Sequence, residues 1–183
     1  MILSDFDLIN MIKSKRLKIT PFSKEIIREN GIDFRISDEI AVHNKSKEFI
    51  MDPEDEKMIR KGYRILKGKR CMILEPLQQV LLSTYEKVEM PNDIAGFVEL
   101  RSTWARHGLY MPPTIVDAGF KGTITLEVFN GAPYKIKLKP FVRFAHVVFV
   151  KTTSAVKKYY KGYYNMQSGI KLPKKISARD RLT

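Results

Sequence analysis

Apolar positions recur with two different periods along this chain. Leu8, Ile9 and Ile12 have helical spacing, and Ser4 with Asp7 three residues later reads as a capping pair ahead of them. The predicted helix ends in the basic stretch Lys13 to Lys18, before Pro21. Residues 23–30 read as one further helical turn closed by Asn30-Gly31. After Gly31 the period falls to two: Ile32-Asp33-Phe34-Arg35-Ile36 alternates as a half-buried strand does. Residues 45–61 are polar and charge-dense and predict a surface loop. From Arg64 onward β-type segments follow at 71–74, 80–84, 94–100, 123–129, 135–138 and 144–150. Turn signals such as Pro91-Asn92-Asp93 and Asn130-Gly131-Ala132-Pro133 separate them. One or two short N-terminal helices followed by many short strands predict a mainly β fold, a barrel or sandwich. Residues 151–183 are aromatic and basic with little periodicity, which suggests an arm following a single β domain at 1–150.

Composition narrows the function. A length of 183 residues suits one domain, and 44% apolar with 29% charged residues describes a folded globular chain. No apolar run approaches the ~18 residues that span a bilayer. The N-terminus places carboxylates where a secretion signal carries basic residues. Cys71 is the single cysteine, so no intramolecular disulfide forms and a cytoplasmic protein is expected. Lys and Arg number 33 against 20 Asp and Glu, a net charge of +13 that calls for a polyanionic partner. Nine Lys or Arg and one acid fall within 151–183, so +8 of the +13 lies in the predicted arm.

One Cys and three His (His43, His107, His146), with no H-x-E, H-E-x-x-H or C-x-x-C, argue against a zinc-dependent deaminase or protease. No G-x-S-x-G or G-x-G-x-x-G occurs. Gly62 to Gly68-Lys69-Arg70 has the wrong spacing for a phosphate loop and reads as a turn before a basic strand edge. Catalysis would therefore rest on carboxylates, hydroxyls and arginines.

Two segments concentrate such groups. Arg101-Ser102-Thr103-Trp104-Ala105-Arg106-His107-Gly108 sets two arginines and two hydroxyls in six residues, directly after an apolar strand. That combination suits a phosphate chain, and equally a solvated turn. In Val116 to Glu127, Gly119 and Gly122 bracket Phe120 in a predicted β-hairpin. Strand alternation then puts Thr123, Thr125 and Glu127 on one face and Ile124, Leu126 and Val128 on the other. A pocket around Glu127 would raise its proton affinity and suit acid–base work; an open polar face would leave it an ordinary surface glutamate.

Taken together, R-S-[ST]-x-A-R-x-G followed by [VI]-D-A-G-[FW]-x-G-x-[IL]-x-[IL]-E resembles the dCTP deaminase/dUTPase family. Further matches extend the likeness over most of the chain: Met1-Ile2-Leu3-Ser4-Asp5, residues 29–35, Met90-Pro91-Asn92-Asp93 and the Tyr160 to Gly169 arm. The Pro112-Pro113-Thr114 turn is similar to archaeal members. The resemblance implies a homotrimer of distorted β-barrel, jelly-roll-like (β-clip) subunits with active sites between them. It implies zinc-independent hydrolytic deamination of dCTP to dUTP and ammonia, attack on a cyclic amidine C–N bond. The alternative is a dUTP diphosphatase giving dUMP and pyrophosphate, or an enzyme doing both. Glu127 matches the family's catalytic glutamate, and Ser102 and Arg106 the residues that hold its proton network. Arg101 and Thr103 match positions near the triphosphate, Asp117 the acid beside the deoxyribose 3′-hydroxyl and Phe120 the aromatic residue on the sugar. Tyr160, Tyr164 and Gln167 match arm residues that close over base and phosphates. Mg²⁺ is expected on the triphosphate, with no protein metal site. The chain departs from the family at Pro112-Pro113, where bacterial deaminases carry Thr-Ala and two extra residues, and at Tyr163, often Lys. A basic nucleic-acid-binding module would need a reader motif, and none is present. A nucleotide sensor on the same fold is a further alternative.

Overall fold

A computed structural model describes residues 1–44, 49–177 and 180. The chain opens with α1 (Asp5–Lys13), in which the Ser4 hydroxyl accepts the Asp7 N–H at 3.4 Å and Asp7 accepts the Ser4 N–H at 3.1 Å. The reciprocal cap forms as its spacing predicts, while the buried positions are Leu8 and Met11, with Ile12 half-buried against the core. Next come β1 (Lys18–Thr20), a 3₁₀ turn (Lys24–Ile26), β2 (Ile27–Arg28) and β3 (Gly31–His43). After these lie α2 (Glu56–Gly62), β4 (Tyr63–Leu66), β5 (Met72–Leu74), β6 (Gln79–Thr84), β7 (Lys87–Glu89) and β8 (Ile94–Leu100). The short helix α3 (Ser102–Arg106) is followed by β9 (Leu109–Tyr110), β10 (Thr114–Val116), β11 (Lys121–Gly122) and β12 (Thr125–Asn130). The last strands are β13 (Ile136–Leu138) and β14 (Arg143–Lys151).

The main sheet has nine strands in the order β10-β8-β14-β3-β6-β12-β9, with β2 and β4 also paired to β3. β3 is its hinge. Its first half pairs with β14 (Phe34 opposite Ala145) and its second with β6 (Ala41 opposite Leu81). Its register slips between Ile36 and Ile40, and an irregularity of this kind bends a strand and curls the sheet. The result is a half-barrel, the mainly β, distorted barrel expected from the pattern. Two smaller sheets, β1-β7-β11 and β13-β5, flank it. Phe34, Phe144, Phe149, Leu82 and Leu126 are fully buried, and each contributes roughly 1.5–3 kcal/mol of apolar burial. None of the described helices is long and apolar enough to cross a membrane.

Two local expectations are corrected. The charge-dense stretch is not all loop: residues 45–48 lie outside the described residues, but 56–62 form α2. Asp55 caps it, accepting the Lys57 and Met58 N–H groups at 2.7 and 3.3 Å, and Ile59 is its buried anchor. One apolar contact per turn is too weak a stripe to register as a period. The Gly119–Gly122 segment is no hairpin either. β10 pairs with β8, β11 with β7, and β12 lies between β6 and β9, so the glycine turn carries the chain between sheets.

Candidate functional site

Alternation along β12 buries Leu126 and Val128 and turns Thr125 and Glu127 to the opposite face. Across the ladder, Glu127 faces Leu81 of β6, which faces Ala41 of β3. Ala41 in turn faces Ile65 of β4. This outer sheet face would be solvated but for the C-terminal segment that returns over it. Met166 donates its N–H to the Lys121 carbonyl at 2.7 Å, and Thr123 donates to the Gln167 carbonyl at 3.1 Å. The Thr123 hydroxyl donates to the Gly169 carbonyl at 3.0 Å, and Lys171 N–H to the Thr125 hydroxyl at 3.1 Å. Gly122 permits this approach: its φ is +134°, and a Cβ there would lie 2.5 Å from the Gln167 carbonyl oxygen.

Between sheet and arm lies a cavity of about 350 Å³. Leu81, Thr125 and Glu127 form its floor, Asp117, Phe120 and Ile124 a wall, and Tyr160, Tyr164 and Gln167 a roof. The Phe120 and Tyr160 rings meet at 6.0 Å, tilted by 46°, which ties wall to roof. Among the described residues no cation pairs with Glu127, and burial raises its pKa above the ordinary glutamate value. Tyr63, at the edge of the same face, is also pushed up, first by burial and then by the charges of Glu127 and Tyr164. The Gln167 amide donates to the Thr123 carbonyl, while its Oε1 is buried with no hydrogen-bond partner. That oxygen has acceptor capacity left for a ligand donor. The site thus joins a carboxylate of raised proton affinity, an aromatic clamp and orienting polar groups, a set suited to proton transfer on a flat, polar ring.

Six of the sequence-predicted residues meet here: Glu127, Asp117, Phe120, Tyr160, Tyr164 and Gln167. The other four do not line this cavity. Ser102, Thr103 and Arg106 stand exposed on α3, where Arg106 donates to the Ser102 hydroxyl at 3.3 Å. Arg101 precedes that helix and lies 3.1 Å from Asp33. Trp104, the single tryptophan, fastens the helix by donating Nε1–H to the Arg143 carbonyl at 2.9 Å. Sequence reasoning missed Tyr63, Gln79 and Lys171 as lining residues, because register across three strands and the arm's return path assemble them. No group of three or more His, Cys, Asp and Glu able to hold a metal ion occurs among the described residues.

The surface beside the cavity is apolar. Ile115 lines it at 56% exposure and pairs across the ladder with Phe97, which is 43% exposed.

Residues 2–152 match the family model for dCTP deaminase-like proteins. A dCTP deaminase of Saccharolobus solfataricus is 45% identical over 174 residues, covering 95% of this chain and 92% of that protein. One of Staphylothermus marinus is 44% identical over 178 residues, covering 95% and 99%. The crystal structure of a 2′-deoxycytidine 5′-triphosphate deaminase from Agrobacterium tumefaciens shares the fold. Its TM-score is 0.64 at 17% identity, over 81% of this chain and 47% of that one.

Proposed function

The chain belongs to the dCTP deaminase-like family, and we propose from that premise that it catalyses hydrolytic deamination of dCTP to dUTP and ammonia. One observation carries the reading: Glu127 sits on the floor of an aromatic-clamped cavity, with no ion pair among the described residues and with raised proton affinity. The carboxylate takes a proton from water as the water oxygen bonds to C4 of cytosine. It gives that proton to N3, then carries the proton of the new C4 hydroxyl to the amino group as the C4–N bond breaks and C4=O forms, so that water and dCTP balance as dUTP and ammonia. Phe120 and Tyr160 hold sugar and base, and Asp117 at the cavity wall takes the 3′-hydroxyl. Ser102 and Arg106 stabilise the charge that develops during attack.

Ser102 and Arg106 stand outside their own chain's cavity, and exposed Phe97 and Ile115 give an apolar surface next to it. Both features support a homotrimer in which α3 of one subunit completes the cavity of another. Mg²⁺ enters with the triphosphate as part of the substrate. Residues 151–183 act as a basic arm over the nucleotide. An exposed free cysteine, Cys71, fits a reducing cytoplasm.

The test is incubation with dCTP and then dUTP, each with Mg²⁺, with ammonia and pyrophosphate measured separately. Ammonia from dCTP without pyrophosphate is expected, and Glu127→Gln abolishes it while dCTP still binds. Pyrophosphate from dUTP in addition makes the enzyme bifunctional, a reading that Asp117 in the same cavity supports. Pyrophosphate from dUTP alone refutes deamination.

A further inference from the structure

Asp33 lies in mid-sheet on β3 and is 2% exposed. Its Oδ1 is 2.9 Å from His146 Nδ1, and its Oδ2 is 3.1 Å from Arg101 Nε and 3.5 Å from Arg143 Nη1. A buried carboxylate is costly unless its partners hold it closely, and breaking such a set leaves a charge uncompensated. This one brings two guanidinium groups from different elements to one oxygen as ion pairs, while that oxygen has no hydrogen-bond partner of its own. Arg101 is further fixed by donating Nη1–H to the Arg143 carbonyl at 3.2 Å. Neither arginine is spent on Asp33: their side chains remain 27% and 41% exposed. Both line a groove of about 600 Å³ with Thr103 and Trp104. Arg35 shares that groove but is taken up by the fully buried Glu86, through its Nε and its backbone N–H at 2.8 Å. Glu25 is the one acid in the lining. The free donors are therefore those of Arg101 and Arg143, side by side, with a hydroxyl adjacent. A pair of this kind matches a polyphosphate better than a single phosphate or a carboxylate, since the donors left on two guanidinium groups, beyond Arg101 Nε and Nη1 and Arg143 Nη1, can reach separate phosphoryl oxygens.

We propose that Arg143 is a second guanidinium contact for the nucleotide's polyphosphate tail, and that Asp33 is the positioning residue that holds Arg143 and Arg101 together for it. The proposal rests on the reading that Arg101 approaches the triphosphate. Arg143 reaches the groove from β14, outside the segment that carries Arg101, Ser102 and Arg106.

Steady-state kinetics on the full chain with dCTP tests it. Arg143→Gln raises KM about tenfold and leaves kcat within about threefold, as expected for a lost charge-assisted contact to a part of the substrate remote from C4. Arg143→Lys, which keeps the charge and loses the fork, recovers part of that loss. Asp33→Asn raises KM similarly in the native background, and by less than about twofold when Arg101→Gln and Arg143→Gln are already present. Circular dichroism establishes that each variant is folded. A KM within twofold of the native value in Arg143→Gln overturns the proposal for Arg143. A full Asp33→Asn effect in the absence of both arginines overturns the positioning role and leaves Asp33 a structural residue. An unchanged KM in Arg101→Gln overturns the underlying assignment of Arg101, and the pair with it.

Discussion

Replacing Gly169 with alanine isolates the latch that keeps the arm on the sheet. Gly169 has φ +75°, a left-handed conformation that disfavours any side chain. Its added Cβ would run into the Glu39 carboxylate, with Cδ and Oε1 at 3.0 Å. Glu39 is not idle: Oε2 accepts the Ile170 N–H at 3.1 Å and Oε1 pairs with Lys67 at 2.9 Å. The carboxylate must swing away and abandon the Ile170 N–H. The left-handed backbone costs about 1 kcal/mol and the lost charge-assisted bond about 2 kcal/mol, some 3 kcal/mol against the closed arm. That corresponds to a KM increase of at most about 150-fold, with the observed value set by how firmly the native arm closes. The assay is KM for dCTP beside limited proteolysis of the arm, with the β core's melting transition as the check on folding. Gly68→Ala is the control, because its φ is +66° and nothing lies within 4 Å of its added Cβ. It carries the backbone penalty alone, away from the arm. In a Glu39→Ala background the steric part disappears, so Gly169→Ala costs less there than in the native chain. An unchanged KM with a protected arm, or strictly additive effects of the two substitutions, refutes the latch.

Three further outcomes follow from the same geometry. Burial raises the Glu127 pKa in the folded chain, so the glutamate's contribution to stability is fully present below its unfolded value near 4.5 and is lost as pH rises through the folded pKa. Glu127→Gln should therefore melt higher than the native protein at pH 8, with the gap closing towards pH 4; equal melting curves at pH 8 contradict the burial argument. Asn130 is fully buried, donates to the carbonyls of Leu74, Glu75 and Tyr134 at 2.9–3.1 Å and accepts from Ala132 N–H. Asn130→Ala should cost roughly 3 kcal/mol in urea unfolding, because it strands several buried backbone groups at once. Mixing inactive Glu127→Gln with inactive Arg106→Ala subunits should restore about a quarter of the native sites after random reassembly, if each site takes Glu127 and Arg106 from different chains. No recovery places both residues in one chain's site.

Part of the sheet was legible in the sequence because a two-residue period survives in strands such as β8 and β12, whereas the central β3 and β6 are buried along most of one or both faces. Residues 94–100 and 144–150 appear within a residue of β8 and β14. What failed was partnership. Gly119 and Gly122 have the composition of a hairpin, yet β10, β11 and β12 find three different neighbours, which depends on pairings distant in sequence. Asp33 read as the polar member of an alternating strand and is instead buried, because the sheet curls and His146, Arg101 and Arg143 close around it from elements over sixty residues away. Alternation alone placed Glu127 on the face opposite Leu126. Its value as a base depended on the arm's return over that face, which no local pattern encodes.

The positive charge resolves into two electrostatic devices of opposite logic. Around Asp33 the fold gathers cations: two arginines meet one carboxylate, which His146 also contacts through Nδ1, and the arginines face a groove. Around Glu127 it withholds them. Lys171 lines the same cavity, but it stacks over the Tyr163 ring at 4.5 Å and makes no ion pair with the glutamate. A cation beside Glu127 would favour its ionised form and lower its proton affinity, which would weaken it as a carrier of protons between water and a leaving amine. A carboxylate in the arginine cluster without its partners would repel a polyphosphate and leave the guanidinium forks free to wander. The two requirements conflict at short range, since cations that grip phosphates also depress a nearby acid. Placing the cluster on β3, β14 and α3, and the glutamate on β12 beneath an arm, separates them within one chain. Assembly of copies can then bring phosphate grip and proton transfer to the two ends of one nucleotide without either device spoiling the other.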